Sequence, residues 1–249
     1  MTTINGPAVL DINTQYDLFN PHGGYPLRQA EQTLPALRKL FAWLENTRIP
    51  IVSTRLHGVV MPDPKHHAPV CLAGTRGYAK LSFTVFPAHL ELPIDCGTDL
   101  PVDIFTEYRQ YIFDLPAPNP FDSPRLDRLL SETDVGLWIA AGGPLESSVR
   151  MAVLGLIQRR QKVAIVKDGL GLRDPYEGDM TWRQLASKNI EWLTVDEIIN
   201  RFTRKPRLPV AGFAGWRFGR RGRHPASPLK YRSPARSGSS GGGRYRMPE

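Results

Sequence analysis

The chain has 249 residues, 41% hydrophobic and 22% charged, with a formal net charge of +8. That length suits one sizeable core and one or two domains, and no run of about 18 apolar residues is present to span a membrane. Cys71 and Cys96 are the only cysteines, too few for a disulfide framework and without CxxC metal spacing.

The N-terminus "MTTINGPAVLDINTQ" has no basic stretch followed by an apolar one, so a cytoplasmic protein with reduced thiols is expected. The charge is uneven. Residues 203–249 hold 12 of the 32 basic residues and one of the 24 acidic ones, a net of +11 that leaves −3 on residues 1–202. The sequence thus reads as a globular domain over 1–202 and a basic tail over 203–249.

In chain order, "PAVLDIN" (7–13) reads as a buried strand. A helix follows over 27–47, with Leu34, Leu37, Leu40, Phe41 and Leu44 at helical spacing and Pro35 either kinking it or marking its start. "IPIVSTR" (49–55) is a second strand, rich in β-branched residues. Residues 56–97, with many Pro, Gly and His, read as a long insertion of loops and short helices. "LPVDIFTEY" (100–108) is a third strand candidate. A helix over 123–133 opens with Ser123 as N-cap and Pro124 at the first helical position. "VGLWIAA" (135–141) is apolar on both faces, as a doubly buried strand should be. Then come a helix (145–160), a strand (162–168), a helix opening with the Thr181–Gln184 capping box (181–189), a short strand (190–193) and a helix opening with the Thr194–Glu197 box (194–202).

This alternation implies an α/β fold: a doubly wound, mostly parallel sheet of about six strands with helices on both faces, a three-layer Rossmann-like arrangement. Its ligand crevice should lie beyond the carboxyl ends of the strands, at the topological switch point. Asp11 through Gln15, Thr54 and Arg55, Glu107 and Tyr108, and Gly142 through Ser148 are therefore expected around one crevice that takes a small molecule.

Six segments, in this order, resemble the isochorismatase-like cysteine hydrolases across about residues 5–200. "AVLDINTQYDLF" looks like their opening strand with D-x-Q and an acid. "PIVSTR" looks like their second strand, and "HHAPVCLAGTRGYAKL" like their H-C-x-x-G-T-x-G loop. "VDIFTEYRQYIFD" sits where they carry a lysine, "GGPLESSVR" where they carry G-x-x-T-x-x-C-V, and "VAIVKDGLG" looks like the following strand and aspartate. The resemblance implies a cysteine nucleophile, a general-base aspartate and a lysine, with the substrate carbonyl held at the start of the following helix.

Carried over position by position, the aspartate is Asp11 and the cysteine position holds Ser148. The family's cis peptide falls on Gly143–Pro144, where proline makes a cis bond accessible. Counting back from Phe113 puts the lysine position on Glu107, and anchoring on the preceding acid puts it on Tyr108. Neither is a lysine. A serine needs a strong adjacent base, whereas two carboxylates sharing a site hold one proton between them. Asp11 with Glu107 thus suggests acid-assisted hydrolysis without a covalent intermediate, the style of the isochorismatases proper, which lack the cysteine but keep the lysine. Gln15, Arg55, Tyr108, Gly143, Pro144 and Leu145 are the expected substrate-binding residues.

No cofactor motif occurs. A metal is not expected either: Leu56 stands where nicotinamidases of this superfamily carry an aspartate ligand, and the adjacent His66 and His67 do not chelate as a helical i, i+4 pair would. The tail is poor in aliphatics and reads as disordered. Trp216, Phe218, Tyr231 and Tyr245 interleave there with arginines, a composition suited to nonspecific nucleic-acid contact or to a basic extension without function.

Three readings follow. One is a hydrolase of a small amide or vinyl ether with a degenerate triad. The second is a catalytically inactive binding or regulatory module on the same fold. The third is a nucleic-acid-associated protein acting through the tail. The resemblance also suggests a homo-oligomer; no membrane partner is expected.

Overall fold

The computed structural model describes residues 2–95, 97–101 and 104–203. Cys96 and nearly all of the expected basic tail lie outside the described residues.

Seven strands form one sheet, all paired in parallel: β1 (Thr2–Ile12), β2 (Ile51–Leu56), β5 (His89–Leu92), β6 (Gln110–Leu115), β7 (Thr133–Gly142), β8 (Val163–Leu170) and β9 (Glu191–Leu193), in the order β5-β6-β2-β1-β7-β8-β9. A two-stranded hairpin, β3 (Val59–Val60) with β4 (Pro69–Val70), lies apart from it. The chain moves from β1 toward β2 and β6 on one side, then crosses back to β7 on the other. Right-handed crossovers therefore place α2 (Ala30–Glu45) on one face, and α3 (Pro124–Glu132), α4 (Arg150–Gln158) and α5 (Pro175–Ala186) on the opposite one. α6 (Val195–Thr203) packs against α2 and β8. A short helix, α1 (Tyr16–Phe19), follows β1 directly.

Burial follows the apolar patterns. Ala8, Val9, Leu10 and Ile12 of β1 and Trp138, Ile139 and Ala140 of β7 are sealed on both faces. Leu37, Leu40, Phe41 and Leu44 put the apolar stripe of α2 into the core. Ser123 caps α3 by accepting from the Leu126 amide, with Pro124 at its first position. At α6, Thr194 and Glu197 exchange the two bonds of the expected capping box.

Four expectations change. The third strand is not 100–108: residues 104–107 turn, and the chain joins β2 at Gln110–Leu115, where Tyr111, Ile112 and Phe113 are apolar and every residue is buried. Pro35 does not mark the start of α2, which begins five residues earlier at Ala30. α5 starts at Pro175 rather than Thr181, because Asp174 accepts from the Tyr176 and Glu177 amides, and Thr181 is buried in mid-helix. The long insertion contributes a hairpin and the edge strand β5 as well as short 3-10 turns.

Candidate functional site

β1 ends at the centre of the sheet with β2 on one side and β7 on the other, so the crevice at these carboxyl ends is the switch point. Asp11 is fully buried there. Its Oδ1 accepts from Thr14 Oγ1 at 2.8 Å. Its Oδ2 accepts from Ser53 Oγ at 2.7 Å and pairs with Lys80 Nζ at 2.9 Å.

Lys80 arrives because residues 79–81 run antiparallel beside 14–16: the Tyr16 amide donates to the Ala79 carbonyl and the Leu81 amide to the Thr14 carbonyl. The ammonium also donates to the Thr54 carbonyl at 3.1 Å, and the side chain is 1% exposed. An ammonium carries three protons; Asp11 and Thr54 take two of them, and no third acceptor bonds it among the described residues. Burial pushes Lys80 below the usual lysine range, while the Asp11 carboxylate pushes it back up. Gln110 steadies the centre from behind, donating to Ser53 Oγ at 2.9 Å and to the Thr84 carbonyl at 2.7 Å.

Asn13 has a left-handed backbone, φ 48°, which asparagine tolerates better than most residues. The Thr54 hydroxyl accepts from its amide at 3.1 Å and donates to its Oδ1 at 2.6 Å. That fixes the carboxamide and leaves Nδ2 buried with no acceptor among the described residues. A buried donor left unmatched costs about 1–3 kcal/mol.

Beside this centre lies a second network. Arg55 bonds Asp114 at 2.6 Å and both oxygens of Glu91 at 3.0 Å, and stacks over the Tyr78 ring, whose hydroxyl donates to Asp114 at 2.7 Å. His57 Nδ1 stands 3.9 Å from the same Asp114 carboxylate.

On the β7 side, Gly142 takes φ 114° and the Gly143–Pro144 peptide is cis. The Gly143 amide donates to the Ile12 carbonyl at 2.9 Å, and the Leu145 amide to the Gly171 carbonyl at 2.8 Å. Residues Leu145–Val149 form one π-helical turn that leads into α4. Ser147 and Ser148 are buried within it, and their hydroxyls have no partner among the described residues. Glu146 accepts from the Arg173 and Asp174 amides, and burial raises its carboxyl above the usual range. It also lines a cleft of about 200 Å³ with Tyr25, Asp63, Arg173 and Glu177.

Asp11, Gln15, Arg55, Gly143, Pro144, Leu145 and Ser148 are thus all placed at the carboxyl ends of β1, β2 and β7. Glu107 and Tyr108 are not. Glu107 is exposed in the turn before β6, where its carboxylate bonds Tyr108 and raises that phenol. With the strand at 110–115, neither residue stands at a strand end, and neither is a partner of Asp11. The lysine that pairs with Asp11 is Lys80. It was present in the quoted "GTRGYAKL", but the local pattern gave no sign that this loop folds back onto β1.

Other expected binding roles are redirected as well. Gln15 is committed to the backbone: its Oε1 accepts from the Leu56 amide at 2.7 Å, and its Nε2 donates to the Leu56 and Tyr78 carbonyls at 2.9 Å each. Gln15→Ala would leave these three buried groups unmatched, and we expect a loss of about 1–3 kcal/mol, read from the urea midpoint. The Arg55 guanidinium is taken by two carboxylates. The amides of Gly143 and Leu145 are used within the fold and Pro144 has none, so these three backbone positions cannot hold a substrate oxygen. Cys71 is buried, and burial pushes its thiol up, which makes it a poor nucleophile.

No protein-family model and no curated protein sequence matches the chain. Solved structures do, and many of them are isochorismatase-like or cysteine hydrolase proteins. An isochorismatase family protein from Desulfovibrio vulgaris aligns with TM-score 0.61 at 15% identity, covering 80% of this chain and 100% of that one. An isochorismatase-like hydrolase from Alkaliphilus metalliredigens aligns with TM-score 0.59 at 19% identity, covering 79% and 98%. The pyrazinamidase of Pyrococcus horikoshii, solved in complex with zinc, aligns with TM-score 0.58 at 18% identity, covering 76% and 98%. The shared feature is the fold. A zinc site does not fit here: Leu56 is buried and apolar where a carboxylate ligand would be needed, and the described residues bring no three His, Cys, Asp or Glu side chains together for a metal.

Proposed function

We propose that the protein is a hydrolase of the isochorismatase-like type, acting on a small amide or vinyl-ether substrate through the Asp11–Lys80 pair, without a covalent serine intermediate. The observation that supports this is the 2.9 Å contact between Asp11 and Lys80 at the switch point. It joins a carboxylate and an ammonium with one uncommitted proton, while the hydroxyl of Ser148 hydrogen-bonds no base among the described residues. A serine without a base is a weak nucleophile at neutral pH.

For an amide, the water oxygen adds to the carbonyl carbon and one water proton passes to Asp11, while the π pair moves onto the carbonyl oxygen. Collapse restores the carbonyl, and the nitrogen leaves with the C–N pair and a proton from Lys80. Asp11 then returns its proton to Lys80, so both groups regain their charges. A lysine lowered by burial is better matched to this donor role than an ordinary one.

The test is turnover of a panel of small amides, carbamoyl compounds and isochorismate by the full chain and by Asp11→Asn, each confirmed folded by circular dichroism. Hydrolysis by the wild type, reduced at least ~100-fold in Asp11→Asn, is expected. A specific observation favours a second reading: Asp11, Lys80 and Ser148 have side chains almost wholly buried, and Gln15 and Arg55 are bonded internally. That suits a binding or regulatory module, and a folded wild type inert across the panel would support it over hydrolysis.

A further inference from the structure

We propose that the carboxamide of Asn13 binds the substrate's carbonyl oxygen and holds the negative charge that develops on it, and that the substrate is therefore an acyl compound, an amide rather than a vinyl ether. This rests on the hydrolase reading above and deepens it. In acyl transfer the developing oxyanion needs donors that are already aimed and dry. The turn after β7 would ordinarily offer backbone amides, but Gly143 donates to Ile12, Leu145 donates to Gly171, and Pro144 has no N–H.

Asn13 offers a side-chain donor where these three positions have no amide to spare. Its Nδ2 is a fully buried donor without an acceptor among the described residues. Its orientation is fixed, because the Thr54 hydroxyl already accepts from the Asn13 amide and so donates its one proton to Oδ1, which turns Nδ2 the other way. It is also tied to the reacting pair: Lys80 is anchored on the carbonyl of the same Thr54, and Asp11 stands two residues before Asn13. The left-handed backbone at Asn13 breaks the strand alternation there and is satisfied by asparagine or glycine. A vinyl ether, protonated on carbon, develops no such oxyanion and would leave this donor without a purpose.

Two measurements test the proposal. The first is turnover by Asn13→Gly, which keeps the backbone conformation and removes the carboxamide. The expected result is a kcat lower by ~10²–10³-fold with KM changed only a few-fold and the thermal midpoint close to wild type. The second is the Asn13 side-chain amide resonances of the wild type, which should shift on titration with acetamide. If the wild type hydrolyses amides and Asn13→Gly does so within two-fold of it, the proposal is overturned while the hydrolase reading stands. If no turnover is found but the Asn13 resonances shift, carbonyl binding by Asn13 stands while the hydrolase reading fails. If neither turnover nor a shift is seen, both are overturned.

Discussion

Lys80→Met is expected to lower stability by about 3–5 kcal/mol, because it leaves a buried carboxylate without its cation. Asp11 is fully enclosed, and Lys80 is its one charged partner among the contacts described. Thr14 and Ser53 would still donate to it, but hydroxyls do not neutralise the charge. Removing both charges together should cost far less, since the desolvation of each ion disappears along with their attraction. The double variant Asp11→Asn/Lys80→Met is therefore expected to be more stable than Lys80→Met alone. Urea midpoints of the wild type, both single variants and the double variant close the cycle. Strictly additive losses would show that the two groups are not coupled, and the proposed proton return between them would fall with that result.

The second large effect is at Gly142. Its φ of 114° lies where side chains rarely go, and a Cβ there would stand 2.0 Å from the Ile12 carbonyl oxygen. Backbone strain alone costs about 1–3 kcal/mol, and the clash adds to it. Relief would require Ile12 to move, yet Ile12 bonds the Gly143 amide and Asp11 precedes it in the same strand. Gly142→Ala is thus expected to lower the thermal midpoint by several degrees and to disturb the site through the β1–β7 junction. A variant as stable as the wild type would contradict this account of the turn.

The core of the fold was legible because its strands are apolar on both faces: Ala8–Leu10, Ile51–Val52, Leu137–Ala140 and Val163–Val166 leave few alternatives to a covered parallel sheet. Helix starts written in side-chain chemistry, Ser123 and Thr194, were legible too. The third strand was misplaced because "VDIFTEY" and "QYIFDL" are both β-prone and adjacent in sequence. Only pairing with β2 chooses between them, and that is a long-range fact.

The site divides in the same way. Asp11 and the 142–148 turn follow from strand ends, which local pattern reveals. The partner of Asp11 does not, because Lys80 lies 69 positions away in a loop with little periodicity. Nor could the sequence tell that the polar capacity of Gln15 and Arg55 is spent within the fold. Their neighbours Leu56, Tyr78, Glu91 and Asp114 come from separate segments.

The most direct measurement is kcat/KM for Ser148→Ala beside Asp11→Asn, on whichever panel amide the wild type hydrolyses. Ser148→Ala is expected to stay within a few-fold of wild type while Asp11→Asn falls at least ~100-fold. A comparable collapse in Ser148→Ala would mean that the serine hydroxyl attacks the substrate, and would contradict hydrolysis carried by Asp11 and Lys80 alone.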